Sequence, residues 1–341
     1  MSKIGMDKLM RNHLCTFSLC IMGIMLSSCA HYQPRNFVPT LNVSSIKNPL
    51  YASFYGTSTL LISDTTSSIL IDGFFSRQGI VESIVNRMKT SDEAIKVIKD
   101  KNIDAVLVSH SHFDHAKDAA VVADIKGARL LASKRTLEIY NNDVERPINV
   151  KNSTKVGDFK VTFIESKHAH KSFSKKLIER LFLFVAGGYE YSNAGDVYSY
   201  YIEHPQSNIL VVPSADFPDK WAQINEKTAS IVFLGIGLLG ERDDDFIEKY
   251  WKSTVKDTCA GLVVPIHWDD FRIPLNKPLK STPDLFNDVS NAMNKLAKLA
   301  DKGNCNGEKV KILFPTKISP FSIKLGDYES TPLSISDANV N

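Results

Sequence analysis

The chain lacks several features that would assign it to a broad class at once. Its 41 lysines and arginines nearly balance its 38 aspartates and glutamates, and no basic block carries interleaved aromatic residues. This pattern argues against nucleic acid as a partner. No internal repeat at a fixed period is present, which argues against a repeat architecture. What remains is an ordinary globular composition, 43% hydrophobic and 23% charged over 341 residues, which is long enough to bury a sizeable core.

The N-terminal apolar run is too short to span a bilayer comfortably. Residues 14–26 are apolar and follow the basic residues Lys3, Lys8 and Arg11. A short run behind a basic start is typical of a secretory signal peptide. The run ends in Leu-Ser-Ser-Cys29, which resembles the lipobox of bacterial lipoproteins. That resemblance implies cleavage before Cys29 and acylation of this residue.

A lipoprotein signal would divide the N-terminal part of the chain in two. Residues 1–28 would be the signal peptide, and residues 29–50, which are polar and contain three prolines, a tether from the lipid on Cys29 to the domain. More than one acyl chain makes such an anchor in the membrane stable. Ala30 follows the cysteine, which in a Gram-negative cell resembles the sorting pattern of the outer membrane, facing the periplasm. The alternative is an ordinary signal peptide with an incidental cysteine.

Cysteine is scarce, with five residues in the chain. Cys15 and Cys20 would leave with the signal, and Cys29 would carry the lipid. Only Cys259 and Cys305 then remain, each just before an apolar run typical of a strand. An oxidising compartment would let them pair, and two separate buried thiols are the alternative.

Residues 51–330 alternate between short runs typical of strands and segments with helical spacing. Residues 58–63 and 67–72 resemble adjacent antiparallel strands, and the continuous apolar run 105–108 is typical of a strand covered on both faces. Interspersed helices predict α/β layers. No linker divides this region, so we predict one domain over 51–330, followed by a tail over 331–341.

One segment of the domain stands apart from the others in composition. Residues 171–188 (KSFSKKLIERLFLFVAGG) are basic at first and then strongly apolar. Two interpretations fit: a buried helix, or a lid over a site that accepts an apolar or lipid-like group.

Histidines cluster directly after the apolar run 105–108, in the stretch VSHSHFDHAKD. If the chain stays extended, His110 and His112 point the same way, because strand side chains alternate. Asp114 and His115 follow where a helix is predicted to begin. Imidazole and carboxylate ligands suit zinc and other first-row divalent metals.

The cluster matches a known signature. His110-x-His112-x-Asp114-His115 matches the HxHxDH motif of the metallo-β-lactamase-fold hydrolases. Further segments resemble other motifs of that family. They come in the family's order, and each lies at the end of a predicted strand. These segments are the strand pair ending at Asp72, Ser166-Lys167-His168, Ser214-Ala215-Asp216, and Pro265 to Phe271 with His267. The resemblance covers residues 51–320.

The resemblance implies an αββα sandwich with a site for two divalent metals at one edge. Zinc is expected, and manganese or iron also fit the ligands. Asp216 would bridge the two metals, Asp72 would support a ligating histidine, and Asp114 would also orient or deprotonate the nucleophile. The terminal ligands would be His110, His112 and His168 for the first metal and Asp114, His115 and His267 for the second.

Two residues offer alternatives to these assignments, and a further histidine is expected to lie outside the site. His170 lies two residues after His168 and competes with it as the ligand of that motif. Asp196 offers a Gly-Asp pair but precedes a predicted strand, so Asp216 is preferred. His204, before a proline, is expected to be a surface turn residue.

Details of the motifs narrow the expected reaction. They most resemble the branch that contains ascorbate-phosphate lactonases and N-acyl-phosphatidylethanolamine phospholipases. We therefore expect a hydrolase that uses a metal-bound hydroxide on an ester, lactone or phosphodiester, with a small-molecule or lipid substrate. A membrane-proximal phospholipid phosphodiesterase is one alternative, and a metal-binding envelope lipoprotein without catalysis is another.

Overall fold

The computed structural model describes residues 32, 49–85, 89–140, 153–217, 227–283, 287–316, 318–324 and 326. The predicted signal peptide, Cys29, most of the predicted tether and the tail from 331 lie outside these residues. Within the described residues, none of the helices has the length and apolar character that crossing a bilayer requires.

Two mixed sheets form the centre of the molecule. The strands in chain order are β1 (Tyr51–Phe54), β2 (Leu60–Ser63), β3 (Ser68–Ile71), β4 (Ala105–Leu107), β5 (Arg129–Leu131), β6 (Ser153–Val156), β7 (Phe159–Ser166), β8 (Val197–His204), β9 (Ser207–Val212), β10 (Ile231–Gly235), β11 (Leu262–Ile266), β12 (Lys311–Ile312) and β13 (Phe321–Ser322). The described strands of the first sheet are ordered β13-β1-β2-β3-β4-β5, and those of the second β12-β11-β10-β9-β8-β7-β6.

Strand direction gathers loops at one edge of each sheet. β2 and β3 are antiparallel, as predicted, whereas β3, β4 and β5 are parallel. In the second sheet β9, β10, β11 and β12 are parallel. The carboxyl ends of parallel neighbours lie side by side, so residues that follow β3 and β4, or β10 and β11, emerge together.

Helices connect and cover the strands. In chain order they are α1 (Ile80–Val85), α2 (Asp92–Ile98), α3 (Phe113–Ala116), α4 (Ala119–Lys126), α5 (Lys134–Ile139), α6 (Phe173–Ala186), α7 (Asp244–Trp251) and α8 (Val289–Asp301). Serines and aspartates begin several of them: the side chains of Ser91, Ser133 and Asp243, for example, accept hydrogen bonds from backbone amides of the first turn.

The alternation of strand side chains builds the layers. Ile69 and Ile71 of β3 belong to the large core that also contains the buried side chains of the second sheet, such as Val211. Leu70, between them, points the other way into a second core with Val122 of α4. Two sheets therefore pack face to face with helices outside, which confirms the predicted αββα architecture.

The structure decides two expectations about particular residues. Cys259 and Cys305 form a disulfide with Cα atoms 4.9 Å apart, so the alternative of two separate thiols is wrong. His204 is buried, not a surface residue, because its Nε2 lies 3.1 Å from Asp64 Oδ2 and its ring packs on Phe159.

The segment 171–188 does form a helix, α6, but the prediction that this helix is buried is wrong. Phe173 is 82% exposed and Phe184 70% exposed, whereas Leu183 and Ala186 are the residues that α6 buries. Its apolar character therefore does not come from core packing. The lid interpretation remains a prediction.

Candidate metal centre

The histidine motif lies where β4 passes into α3. His112 is extended, with φ −65° and ψ 148°, and stands immediately before the helix, while Asp114 and His115 occupy the first turn. The turn is fixed because the amide of Gly73 donates to the carbonyl of His115 at 2.8 Å. A strand end and a helix start thus present His110, His112, Asp114 and His115 together, as the sequence predicts.

Three imidazoles form a first group of donor atoms, made of His110, His112 and His168. One ring nitrogen of each lies within 4.8 Å of the others. His168 arrives from the end of β7, and its Nδ1 lies 2.7 Å from the carbonyl of Ala169, which directs Nε2 elsewhere. The Nε2 atom of buried His110 has no hydrogen-bond partner among the described residues. A buried nitrogen without a partner is costly unless something absent from the protein chain binds it.

The imidazoles of the first group are held in the neutral state. Burial lowers the pKa of His168 to about 3, and the charge of Lys171 acts in the same direction. Burial likewise lowers the pKa of His110 and that of His112 well below the usual value. Neutral imidazole is the form that binds a metal ion.

A second group consists of Asp114, His115 and His267. Oδ2 of Asp114 lies 3.3 Å from Nε2 of His267 and 3.7 Å from Nε2 of His115, and the two Nε2 atoms are 3.3 Å apart. His267 follows β11 with a left-handed φ of 61°. Gly237 is required beside it, because a Cβ at that position would lie 2.7 Å from Nδ1 of His267.

Opposing effects set the charges of the second group. Burial alone would raise the pKa of Asp114, but His115 and His267 bring it well below its usual range, so the carboxylate is ionised. Burial alone would lower the pKa of His115, and the carboxylates of Asp114 and Asp72 raise it instead. Asp72 accepts from Nδ1 of His115 at 2.8 Å, which leaves Nε2 facing the group.

The donors fit two adjoining divalent cations. The rings of His110 and His115, one from each group, have centroids 3.8 Å apart. Nitrogen and carboxylate donors of this kind suit zinc, manganese and iron. Two Nε2 atoms at 3.3 Å need a shared proton or cation between them, and the partnerless Nε2 of His110 needs a ligand. Bound metal would meet both needs.

Asp216 lies near these groups but belongs to neither of them. It follows β9, and its Oδ1 accepts from the amide of Phe217 at 2.8 Å. Neighbouring Ser214 accepts from the amide of Ala169 at 2.8 Å, so the segment 214–216 contacts the loop that carries His168. A bridging role for Asp216 stays a prediction. The competing residues His170 and Asp196 are both exposed and outside the groups.

A third group of acidic and histidine side chains does not resemble the other two. Asp64, Asp158 and His204 lie within the same distance of one another. However, Nε2 of His204 bonds Asp64, and Nδ1 lies 3.2 Å from the amide of Gln206. Both ring nitrogens are occupied, so this group is a hydrogen-bonded link between two turns.

Sequence reasoning missed several residues that hold the site in place. Arg77 forms a fully buried ion pair with Asp269, at 2.6 Å, and Asp269 also accepts from the amide of Thr57 at 2.6 Å. Because Asp269 follows His267 by two residues, this pair fixes the loop that carries the histidine. A lone arginine in the irregular segment after β3 gave no sequence signal.

Comparisons with known proteins agree with the fold and the donor groups. Residues 52–188 match the family model of the metallo-beta-lactamase superfamily. A UPF0173 metal-dependent hydrolase of Lysinibacillus sphaericus is 25% identical over 266 residues, which cover 74% of this chain and 98% of that protein.

Two solved structures with low identity share the architecture. Igni18, described as a metallo hydrolase of Ignicoccus hospitalis, has a TM-score of 0.50 at 16% identity, over 81% of this chain and 99% of that one. CmlA, described as a diiron β-hydroxylase of Streptomyces venezuelae, has a TM-score of 0.50 at 9% identity, over 81% of this chain and 55% of that one. Likeness at these identities concerns the fold alone. In its fold and its matching motifs, the chain is thus similar to the metallo-β-lactamase superfamily of metal-dependent hydrolases.

Proposed function

We propose that the chain is a hydrolase with two divalent metal ions, one in each donor group. The observation that carries this proposal is the pair of adjoining three-donor groups, with a partnerless, buried Nε2 on His110. Three donors per ion leave each ion open to further ligands. Zinc is the expected metal, with manganese and iron as alternatives. Asp216 would complete the centre as a bridging ligand.

The residues of the second group prepare the site for hydrolysis. When bound, the two ions would supply an activated water and polarise the substrate's electrophilic group. Asp114 is the residue that we expect to orient a water or to receive its proton, because its carboxylate faces both His115 and His267. Asp72 fixes the ring of His115 through Nδ1. This role of a buried carboxylate is common around ligating histidines.

The proposed substrate class rests on the resemblance of the motifs to a family and on the positive charge of Lys171. The motifs favour an ester, a lactone or a phosphodiester. Burial lowers the pKa of His112, and the positive charge of Lys171, just after the loop of His168, lowers it further. For Asp114 burial acts the other way and raises the pKa, and the charge of Lys171 adds to the larger lowering by His115 and His267. A cation beside the centre favours an anionic substrate, and therefore a phosphodiester among the three. The fold does not identify the substrate, because proteins that share a fold can catalyse different reactions.

A membrane-proximal phospholipid phosphodiesterase is a second candidate. The exposed apolar face of α6 favours it, since α6 begins five residues after His168. In this version Cys29 is acylated, and the protein resides in the cell envelope with its site close to lipid.

Metal analysis combined with a substrate panel tests the proposal. The full chain should contain two metal ions and hydrolyse a bis-aryl phosphodiester or a lactone faster than a β-lactam. Chelation should abolish turnover and metal addition restore it. Metal occupancy without turnover on any of these substrates would favour a binding protein instead.

Matched substitutions test the ligand assignment. His168→Ala should lose metal and activity together, whereas His170→Ala, two residues away and exposed, should keep both. Asp216→Ala should reduce the metal content, and a variant that retains two ions per chain would rule out the bridging role.

A further inference from the structure

Helix α6 carries most of its large apolar residues on its exposed side, whereas a core helix would bury them. Six exposed apolar side chains share one arc of it at 3.6 residues per turn: Phe173, Leu177, Ile178, Leu181, Phe184 and Val185. The buried residues Leu183 and Ala186 lie on the opposite side. The side that faces away from the protein is thus the more apolar one. An extended exposed apolar face is typical of an interaction surface.

Charges around this face suit one kind of partner. Residues 171–186 contain four basic residues and one acidic residue, and Lys176 and Arg180 are both exposed. Arg180 donates to the hydroxyl of Tyr189 at 2.9 Å, which places an exposed aromatic ring next to its cation. Apolar residues flanked by cations and an amphipathic aromatic are typical of helices that lie in the interface of a membrane with anionic lipids.

A neighbouring helix extends the surface. Helix α1 packs against α6, and its Ile84 and Val85 are also exposed. We refer to the exposed apolar residues of α6 and α1 together as the α6 face. Because the two helices are in contact, the exposed apolar residues of the α6 face lie on neighbouring elements.

The N-terminal chain contacts the domain beside the loop that carries His267. The amide of Tyr32 donates to Ser281 Oγ at 2.7 Å, and its ring lies 5.5 Å from that of Phe314. Ser281 pairs with Asp269, two residues after His267. Cys29, where the lipobox-like motif predicts acylation, is only three residues before Tyr32, and three extended residues reach roughly 10 Å. An acylated Cys29 would therefore hold this part of the domain against the bilayer.

A side chain within the histidine motif links helix α6 to the loop after His267. Phe113, which separates His112 from Asp114, has its ring 6.5 Å from Phe182 of α6 and 5.6 Å from Phe271, in the loop after His267. The α6 face and the docking point of Tyr32 are therefore connected through side chains that border the donor groups. Helix α6 therefore adjoins the residues that carry the donor groups.

We propose that the α6 face docks on a bilayer containing anionic phospholipid and thereby holds the metal site towards the membrane surface. This surface is independent of the catalytic step: it orients the domain whether the substrate is a lipid or a small molecule. Lipid is the expected occupant, because a cationic apolar helix and an acylation motif belong to one chain.

Depth-dependent fluorescence quenching tests the proposal in the full chain. The matured protein, purified in detergent, is reconstituted into 3:1 phosphatidylethanolamine–phosphatidylglycerol vesicles whose acyl chains carry bromine. Phe184→Trp places an indole in the α6 face, and Ile125→Trp places one on α4, where the side chain is 47% exposed. The unsubstituted protein supplies the emission of the native tryptophans. Metal content verifies that both variants fold.

We expect the bilayer to quench roughly half of the emission added by Phe184→Trp, because interfacial helices insert their apolar face to acyl depth. Emission added by Ile125→Trp should stay near its value in unbrominated vesicles. Adding Lys176→Glu and Arg180→Glu, or replacing phosphatidylglycerol by phosphatidylcholine, should reduce the quenching at position 184.

Two results would overturn the proposal. Equal quenching at positions 184 and 125 would mean that the α6 face does not orient the domain. A blue-shifted but unquenched emission at 184 that depends on protein concentration would mean that a second copy of the chain covers the face. Neither result bears on hydrolysis, which is measured separately on soluble substrates.

Discussion

At the scale of single residues, the centre depends on a buried network around one carboxylate. Asp72 accepts from the amide of Ser109 at 2.7 Å, from its hydroxyl at 3.0 Å and from His115 at 2.8 Å, and it contacts the hydroxyl of Ser58. A carboxylate with this many donors stays buried without a large cost. The network fixes the orientation of His115 before any ligand arrives, so the donor group is preorganised.

Lys171 provides a test of the substrate's charge. Its Nζ lies 2.8 Å from both carboxylate oxygens of Glu179, and its charge reaches both donor groups. Lys171→Met should lower kcat/KM for a phosphodiester about tenfold, or about 1.4 kcal/mol of transition-state stabilisation. The rate on a neutral lactone should change little. Steady-state kinetics on both substrates, at equal metal content, measures the difference.

Glu179→Gln is the matched control for this prediction. It removes the ion pair but keeps the cation, so phosphodiester hydrolysis should persist or increase. An equal loss on both substrates in Lys171→Met would show that the residue serves the structure and does not select for charge.

The neutral state of the buried histidines predicts how stability depends on pH without metal. An unfolded histidine binds a proton below a pH of about 6.5, whereas burial holds the pKa of His168 at about 3 in the folded protein. Unfolding therefore takes up a proton between these values, and the free energy of unfolding falls as the pH decreases. Urea titrations of the chelated protein at pH 7 and pH 5 should show this decrease.

Each such histidine contributes up to about 1.4 kcal/mol per pH unit in that window. His168→Gln should therefore flatten the dependence, because glutamine does not titrate. His170→Gln, at an exposed position two residues away, is the matched control. If the free energy of unfolding changed equally with pH in His168→Gln and in the unsubstituted chain, His168 would not be the buried neutral histidine that this prediction assumes.

At the scale of elements, a buried ion pair joins the segment after β3 to the loop after β11. Arg77 bonds Asp269, and both side chains are almost fully inaccessible. Arg77→Met would leave Asp269 buried without its cation, which typically costs about 3–5 kcal/mol. We expect that loss in urea denaturation, together with a lower metal content, because the same loop carries His267.

A double substitution distinguishes the ion pair from simple packing. In Arg77→Met/Asp269→Asn, the asparagine can still accept from the amide of Thr57, and no buried charge remains. Much of the lost stability should return, and the interaction term of the cycle should be large. Additive losses from the two substitutions would indicate that the charges do not interact.

Elements with a clear period were predictable, and those shaped by tertiary contacts were not. The apolar run before His110 predicts β4, and a helix is predicted to begin at the end of the histidine cluster, where the structure has α3 and then α4. By contrast, α6 has an apolar pattern that looks like core, and only the fold reveals that its apolar side faces away. His204 resembles a turn residue because Pro205 follows it, yet Asp64 from another turn makes it a buried partner.

Only part of the site could be predicted from local sequence spacing. His110, His112, Asp114 and His115 are adjacent in the chain, so local spacing alone brings their side chains together. His168 and His267 could be identified only by resemblance, because their positions depend on how the two sheets pack. Arg77 had no signal of either kind, since its partner Asp269 is almost two hundred residues away in the sequence.

At the scale of the whole molecule, the donor groups join the two sheets of the sandwich. His110, His112, Asp114 and His115 follow β4 of the first sheet, whereas His168 and His267 follow β7 and β11 of the second. Each donor group thus combines side chains from both sheets. The centre is therefore part of the tertiary structure as well as a place for chemistry.

Metal removal should for this reason lower the stability of the entire domain. A ligand that binds only the folded state stabilises it by RT ln(1 + [L]/Kd), about 2.7 kcal/mol for each ion at a hundredfold excess over Kd. We expect the thermal midpoint to fall by roughly 5 °C or more on chelation and to recover when metal is added. The measurement is a thermal melt with and without chelator, at oxidising conditions that keep the Cys259–Cys305 disulfide intact. The double variant His112→Ala/His267→Ala lacks a donor from each group, so its midpoint should be lower and should not respond to the chelator. A chelator effect of equal size in this variant would mean that the stabilising ion binds elsewhere.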